Sequence, residues 1–364
     1  MALTNFASLT ADQKLVWSRD IWKQARDMTF INKFVGGPDA VIQRITELTK
    51  TEKGEQVIMH LLADLVEDGV VGDNEREGYE EEMKTYNDKI SIDLISHGLR
   101  QKGKLAEQKT VVAFRENAKD RLAYWLANRM DQLAFLTMSG VDYSLANDGS
   151  ARTSSAFSQL AFNADVTAPS AKRHRRWDGL NSALIAGNTA TMLATDTLTY
   201  KAIVDIVVYA KTNYIKPLMQ GGKEYYVAFV RPEALAQLKK DADYQRAVVT
   251  GADRGKENPF FSGGILTVDG VVFHEHRLVY NTKGATTKWG ASTLVDGSRM
   301  LLCGAQALGF ADLGAPEWSE KWFNYESSPG INVDKMFGFL KPRFYSIYNK
   351  TVEDFGVLAV DHAI

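Results

Sequence analysis

The sequence contains a single cysteine, Cys303, among its 364 residues. An intrachain disulfide and a cysteine-rich zinc site are therefore both excluded. Cys303 ends the apolar run 300–303. That setting predicts a buried structural thiol rather than a catalytic nucleophile.

Long apolar runs are also absent, because no segment reaches the ~18 consecutive apolar residues that a membrane-spanning helix requires. The first residues lack the basic stretch followed by an apolar stretch that marks a secretion signal. We therefore expect no membrane association, and we expect the chain to fold in a reducing cytoplasm.

An excess of positive charge is missing as well, since 43 Lys and Arg residues face 45 Asp and Glu residues. A protein whose main task is to hold nucleic acid is usually far more basic, because phosphate binding depends on counterion release. The sequence also lacks a phosphate-binding loop, a dinucleotide-binding glycine motif and a Gly-x-Ser-x-Gly elbow. We expect no cofactor.

The patterns that are present predict an α+β chain long enough for two to three domains. Apolar periodicity predicts helices over 10–28, 39–50, 105–138, 196–213 (with Asp196 as N-cap) and 232–240. Strand patterns cover 55–65, 88–97, 225–230, 265–268, 271–274 and two segments of the tail 335–360, while 298–308 fits a strand or a short helix. Residues 139–195 are predicted to be mostly loop.

Two tryptophans, Trp17 and Trp22, lie in the first predicted helix, whose Thr10 and Gln13 have capping-box spacing. They predict that this arm docks onto something large, such as a neighbouring subunit. Packing on the core of the same chain is an equally good interpretation.

An acidic stretch separates the predicted strands 55–65 and 88–97, which would form an arm of roughly 30 Å. Such a hairpin is marginal alone and needs another surface, which a neighbouring subunit could supply. Residues 64–82 hold nine carboxylates and one basic residue, Arg76. A solvated acidic face is the simplest interpretation, and docking onto a basic neighbour is the functional one. The candidate contacts are Glu67, Asp68, Asp73, Glu75, Glu77, Glu80, Glu81 and Glu82.

A basic cluster, Lys172, Arg173, Arg175 and Arg176, precedes Trp177. It could contact nucleic acid weakly and without sequence specificity, with the indole available for stacking. It could equally pair with acidic groups, those of the 64–82 stretch among them.

His274 and His276 would lie on one face of a strand and could begin a zinc site. A catalytic site needs a third ligand and an open position, so we expect no metal here. A metal-dependent hydrolase using these two histidines remains the alternative from the enzyme class.

The order of elements, a helical arm, an acidic hairpin, a long helix, a compact α/β region and closing strands, resembles the major capsid proteins of tailed bacteriophages. This architecture is called the Johnson fold, and the match is closest to the capsid family of N-four-type podoviruses. The motifs that carry the resemblance are 69–73 (Gly-Val-Val-Gly-Asp), 77–81 (Glu-Gly-Tyr-Glu-Glu), 263–271 and 322–342.

The resemblance implies a non-enzymatic protein that self-assembles, as pentamers and hexamers, into an icosahedral shell around double-stranded DNA. It implies a place in the virion, assembly in the bacterial cytoplasm, and scaffolding, portal and decoration proteins as possible partners. An encapsulin-like nanocompartment shell is the alternative within the fold. The implied segments are an N-terminal arm (1–54), an extended hairpin loop (55–104), a peripheral domain with a spine helix (105–195), an axial domain (196–310) and C-terminal strands that complete the peripheral domain (311–364).

Overall fold

The fold was analysed in a computed structural model. The structure describes residues 11–46, 54–103, 114–251 and 266–364, apart from Ala63, Asp64, Val66, Arg76, Tyr79 and Glu326. Several predicted features lie outside the described residues: Thr10 of the capping box, 47–50 of the second predicted helix, 105–113 of the long helix, and the motif residues 263–265. The described helices are α1 (Ala11–Met28), α2 (Phe114–Ser139), α3 (Tyr200–Thr212), α4 (Pro232–Lys240) and α5 (Ala242–Gly251).

The strands fall into two large sheets and two hairpins. Those of the first half are β1 (Val35–Gly36), β2 (Ile42–Ile45), β3 (Gln56–Leu62), β4 (Thr85–Ser91), β5 (Asp93–Arg100), β6 (His174–Asp178), β7 (Ala183–Ala186), β8 (Leu218–Gln220) and β9 (Lys223–Val230). Those of the second half are β10 (Leu266–Val268), β11 (Val271–Glu275), β12 (Gly297–Cys303), β13 (Leu308–Asp312), β14 (Glu317–Phe323), β15 (Ser328–Leu340), β16 (Arg343–Ser346), β17 (Thr351–Asp354) and β18 (Val357–Ala363).

The larger sheet has the order β10-β11-β9-β12-β18-β6-β7, with β8 added beside β9. Its central strands β12 and β18 are buried along their whole length, which explains their continuous apolar runs. The sheet contacts α3 and α4 through one apolar cluster. The chain is thus an α+β protein, as the sequence predicts.

The smaller sheet has the order β1-β2-β13-β15-β14, with β5 also paired to β15. The long helix α2 packs against this sheet and against α1, and its second half is almost completely buried. Residues from both sheets, from α1 and from α2 share one apolar cluster. The predicted spine helix is therefore confirmed over its described part, Phe114–Ser139.

Two secondary-structure predictions are wrong. Residues 39–46 do not form a helix, because Ile42–Ile45 pair in parallel with β13 as strand β2. The basic segment is not a loop, because His174–Asp178 pair in parallel with the distant strand β18. In both places a partner far away in the sequence decides the local conformation, which propensity cannot reveal.

Asp196 is not the N-cap of the helix that follows it. Thr199 caps α3 by accepting a hydrogen bond from the backbone N–H of Ala202. The fully buried Asp196 carboxylate instead accepts from the backbone N–H groups of Gly179 and Leu193. It therefore ties two loops together rather than starting a helix.

Candidate assembly surfaces

The hairpin formed by β3 and β4 is anchored on its own chain. Val57, Met59 and Ile90 at its root are buried and pack against Leu340 and Phe344. The surface that an isolated hairpin needs is thus supplied, at the root, by the same subunit and not by a neighbour.

Two glycines allow the hairpin root to lie close to the smaller sheet. A Cβ atom on Gly338 would stand 2.2 Å from the Ser91 carbonyl oxygen, and one on Gly309 would stand 2.9 Å from Cδ1 of Ile90. Any larger residue would push the hairpin away from β13 and β15. The absence of a side chain at these two positions therefore helps to set the direction in which the hairpin leaves the domain.

The described residues of the hairpin tip (63–84) expose both acidic and apolar side chains. Leu65, Val71 and Met83 expose 65%, 79% and 67% of their surface, far more than apolar side chains usually do. No ion pair joins a cation to Glu67, Asp68, Asp73, Glu75, Glu77, Glu80 or Glu82 within the described residues. Glu81 accepts a hydrogen bond from the backbone N–H of Glu67. Among the described residues of the tip, the exposed apolar groups therefore lie beside carboxylates that, Glu81 apart, have no cationic partner.

Helix α1, from the predicted arm, packs against the helix α2 of its own chain. Trp22 is buried there, and Nζ of Lys335 lies 4.0 Å from the centre of its ring. In the single subunit Trp22 is thus a core residue rather than a free docking group. The Trp17 side chain lies outside the described residues.

The segment that follows α1 is held by an aromatic stack. The Phe30 ring stacks on His276 with centroids 4.4 Å apart, and His276 stacks on Phe135 at 5.2 Å. Oδ2 and Oδ1 of the buried Asp131 accept hydrogen bonds from the backbone N–H groups of Phe30 and Ile31, each at 3.0 Å. The predicted histidine pair therefore forms part of the seat for this segment.

The pKa values of two groups in this seat are shifted in opposite directions. Burial, with help from Arg277 and Lys33, lowers the pKa of His276 to about 4. Burial raises the pKa of Asp131 to about 6, although its backbone hydrogen bonds oppose the rise. As the pH falls from 6.5 towards 4, His276 therefore removes stability from the folded state, while Asp131 adds to it.

Replacing His276 with phenylalanine should make the chain less sensitive to acid. The substitution H276F keeps the ring stack but removes the group whose neutral form the fold favours. We expect the difference in melting temperature, H276F minus the unmodified chain, to increase as the pH is lowered from 7.5 to 4.5. Differential scanning fluorimetry across this range would measure it, and a constant difference between the two proteins would contradict the assignment.

The enzyme alternative gains no support from this region. Among the residues that the structure describes, no group of three or more His, Cys, Asp and Glu side chains could hold a metal ion. Cys303 is completely buried, and burial strongly raises the pKa of its thiol, as expected for an unreactive cysteine. No described helix is long and apolar enough to cross a membrane.

Most of the basic cluster is engaged inside the fold. Arg173 is buried and pairs with Glu353 at 3.0 Å, and the buried Arg176 lies 3.9 Å from Asp196. The Arg175 guanidinium stacks over the ring of Tyr209 at 4.3 Å and donates a hydrogen bond to its hydroxyl. Lys172 alone of the four is exposed. Arg173 and Arg176 thus pair with acidic groups, but with ones in other segments than 64–82.

The sequence indicated no role for the positive groups near the exposed face of α2. Arg121, Arg129, Arg152 and Arg277 have no carboxylate within ion-pair distance in the described structure. Arg121 and Arg129 belong to α2. The helical spacing of Tyr124, Asn128 and Gln132 could have indicated that these two arginines share a face of the helix with them. The other two reach this face from loops, which no local pattern indicates.

Comparison with known proteins gives a consistent result over the whole chain. A profile of the phage capsid protein family matches residues 5–364. The major capsid protein of Pseudomonas phage KPP25 is 51% identical over 363 residues, which cover 98% of this chain and 96% of that protein. The capsid of Ralstonia phage GP4 aligns with 92% of this chain and 91% of its own, with a TM-score of 0.74 and 26% identity. The capsid of cyanophage Pam1 has the same fold, with a TM-score of 0.70 over all of this chain and 96% of its own at 16% identity.

Proposed function

Because this chain belongs to the phage capsid protein family and is a major capsid protein of a bacteriophage, we propose that it closes an icosahedral shell around double-stranded DNA as pentamers and hexamers. The 51% identity across nearly the full length of a phage major capsid protein is the observation that supports this most strongly. The chain's work is then self-association, in which symmetry repeats a few interfaces many times. The role is structural and needs no catalytic group.

The segments predicted from the sequence are proposed to have distinct roles in the shell. The arm and the hairpin reach towards neighbouring subunits, and residues 196–310 gather around the five-fold and six-fold axes. Strand β18 pairs with β12 and β6 in the larger sheet. The last strand thus links the C-terminal segment to the proposed axial domain, and the boundaries between domains stay a prediction.

The hairpin tip is proposed to dock on another subunit. Its root is fixed on its own chain, whereas Leu65, Val71 and Met83 and their acidic neighbours are exposed. Burying this surface against a complementary one removes apolar area from water, so docking is more favourable than leaving the tip exposed. The carboxylates would then determine where and in which orientation the tip docks.

Other partners follow from the same role. The exposed Lys172 is proposed to contact packaged DNA weakly, and the near-neutral charge of the chain suits a container that must release its genome. Scaffolding, portal and decoration proteins are proposed partners, and assembly is proposed to take place in the host cytoplasm.

Reversing three charges at the tip should block shell formation. The triple variant E80K/E81K/E82K changes the tip from acidic towards basic, so it would repel a basic receptor. We expect folded subunits, or at most small oligomers, in place of closed shells. Negative-stain electron microscopy and light scattering would measure this.

The matched control is the isosteric variant E80Q/E81Q/E82Q, which removes the charges without reversing them. It should assemble better than the lysine variant if repulsion is the cause. Circular dichroism would check that both variants are folded. Normal shells from the lysine variant would disprove docking by the acidic tip.

A further inference from the structure

A cavity of about 470 Å³ lies where three separate parts of the chain meet. Its wall is formed by residues at and after the end of α3, by the outer part of the hairpin β3–β4, and by the hairpin β16–β17. Sites that bind small molecules have volumes of roughly 300–1,000 Å³ and often lie at such junctions. The cavity therefore has the size and the place of a ligand site.

The wall of the cavity is rich in tyrosine. The rings of Tyr214 and Tyr348 stack with centroids 3.8 Å apart and 7° between their planes, and the rings of Tyr86 and Tyr345 lie 6.4 Å apart. Tyr214, Tyr345 and Tyr348 are exposed, whereas Tyr226 is buried, so the stacked pair stands at the mouth. Walls of this kind suit a ligand with a flat ring.

Tyr214 holds this place in a strained backbone conformation. Its φ of 55° is left-handed, which a residue with a bulky side chain rarely adopts. Tyr214 directly follows Asn213, the last residue of the α3 cap, where glycine is usual. Strain of this kind is concentrated at functional sites, and here it places the Tyr214 ring against Tyr348.

The buried end of the cavity holds a hydrogen-bond donor that lacks an acceptor. Arg173 lines the cavity and exposes only 3% of its surface. Its Nη2 pairs with Glu353 at 3.0 Å, and its Nε donates to the Asp354 carbonyl at 3.0 Å. The buried Nη1 has no hydrogen-bond partner among the described residues. A buried donor without an acceptor is costly, so an acceptor supplied from outside the chain would be bound favourably.

The charge of Arg173 is only partly compensated within the fold. Burial lowers the pKa of Arg173, and the opposing charge of Glu353 does not cancel this effect. The Glu353 carboxylate is shared, because it also accepts hydrogen bonds from Thr351 at 2.8 Å and from Asn349 at 3.2 Å. A carboxylate oxygen is thus a better acceptor for Nη1 than a neutral oxygen, since charge-assisted hydrogen bonds are the stronger ones.

Two lysines at the mouth favour the approach of an anion. Lys211 and Lys216 line the cavity and are exposed. They lie 3.5 Å from the exposed carboxylates of Glu224 and Asp39, respectively. Surface pairs of this kind contribute little, so both ammonium groups can turn towards an incoming anion.

We propose that this cavity binds a small aromatic carboxylate. The ring lies between the tyrosines, and one carboxylate oxygen accepts a hydrogen bond from Nη1 of Arg173. The site belongs to a single chain and does not depend on shell formation. Because the ligand contacts three parts of the chain at once, its binding stabilises the folded state.

Isothermal titration calorimetry of the full-length chain tests the proposal with two probes. The first probe is 2-naphthoate, and the second is 2-naphthalenemethanol, which has the same ring system but no charge. We expect one site per chain and an affinity for 2-naphthoate at least about tenfold higher than for the alcohol. At a concentration one hundred times its dissociation constant, 2-naphthoate should raise the melting temperature by about 3 °C.

Three variants locate the site. I347W fills the cavity with a larger side chain and should lower the affinity for 2-naphthoate about tenfold or more. V352W adds the same side chain to β17 at a residue that is 60% exposed and does not line the cavity, so it should bind normally. R173K keeps the charge but removes Nη1, and should lose the preference for 2-naphthoate while binding the alcohol unchanged. Thermal unfolding identifies any variant that does not fold.

Four results would overturn the proposal. If millimolar 2-naphthoate gives no heat of binding, the cavity is not a ligand site. If both probes bind equally, the site does not recognise a carboxylate. If I347W binds as tightly as the unmodified chain, the probe occupies another place. If V352W loses as much affinity as I347W, the loss does not come from filling the cavity.

Discussion

Replacing Asp361 with asparagine should cost the chain about 3–5 kcal/mol of folding free energy, the usual cost of breaking a buried ion pair. Asp361 is completely buried and pairs with Arg299 through Nε at 2.7 Å and through Nη2 at 2.9 Å. Nε2 of His174 lies 2.6 Å from Oδ2 of the same carboxylate. Asparagine keeps the shape but leaves the Arg299 charge without compensation.

This cluster also connects distant parts of the chain. Asp361, Arg299 and His174 belong to three adjacent strands of the larger sheet, and Nη1 of Arg299 donates to the Ser139 carbonyl at the end of α2. Burial raises the pKa of Asp361, but the Arg299 charge and the hydrogen bonds from both partners outweigh it and lower the pKa to about 2. The carboxylate is therefore charged at neutral pH.

Urea unfolding followed by circular dichroism would measure the effect of D361N. The matched control is D39N, because Asp39 is 92% exposed and its 3.5 Å pair with Lys216 lies on the surface. Such a surface pair is worth about 0–1 kcal/mol. Equal losses for the two variants would contradict the role assigned to the buried cluster.

Truncating Phe229 to alanine should cost a similar amount, about 3–5 kcal/mol, because it leaves a cavity in the core. Phe229 is completely buried, and its ring lies 4.9 Å from Phe34 and 5.6 Å from Phe135. The cavity would open where the segment after α1 docks. We therefore expect faster tryptic cleavage after Lys33, in addition to the lower stability.

Urea unfolding and limited trypsin digestion would test F229A together. Leu180, which is 77% exposed, provides the control variant L180A, and we expect a change within about 0.5 kcal/mol there. Unchanged cleavage after Lys33 in F229A would show that Phe229 does not hold the segment.

Local signals in the sequence were reliable where the structure depends on neighbours in the chain. Asp269 and Gly270 adopt φ values of 49° and 77° and close the predicted hairpin. Pro232 opens α4 as predicted, because its missing N–H is not needed in the first turn. The acidic hairpin and the spine helix were also predictable from alternation and helical spacing.

The sequence failed where distant segments meet. The pattern of residues 42–45 fits a helix, but pairing with β13 makes the segment a strand. The sequence suggests that Arg173 is exposed, but it is buried and pairs with Glu353, which lies 180 residues further along the chain. Arg152 and Arg277 could not be placed from the sequence for the same reason, since they contact α2 only in the folded chain. The order of elements was more informative than any single motif, because a shared order reflects all of these pairings at once.

This chain is proposed to assemble with itself into a closed shell. The most direct test is to produce the unmodified chain, alone and together with the other head proteins of its phage, and to examine it by negative-stain electron microscopy with light scattering for mass. We expect closed shells, or rings and sheets built from five and six subunits. A particle that stays at the 40.5 kDa of a single chain under both conditions would contradict the account.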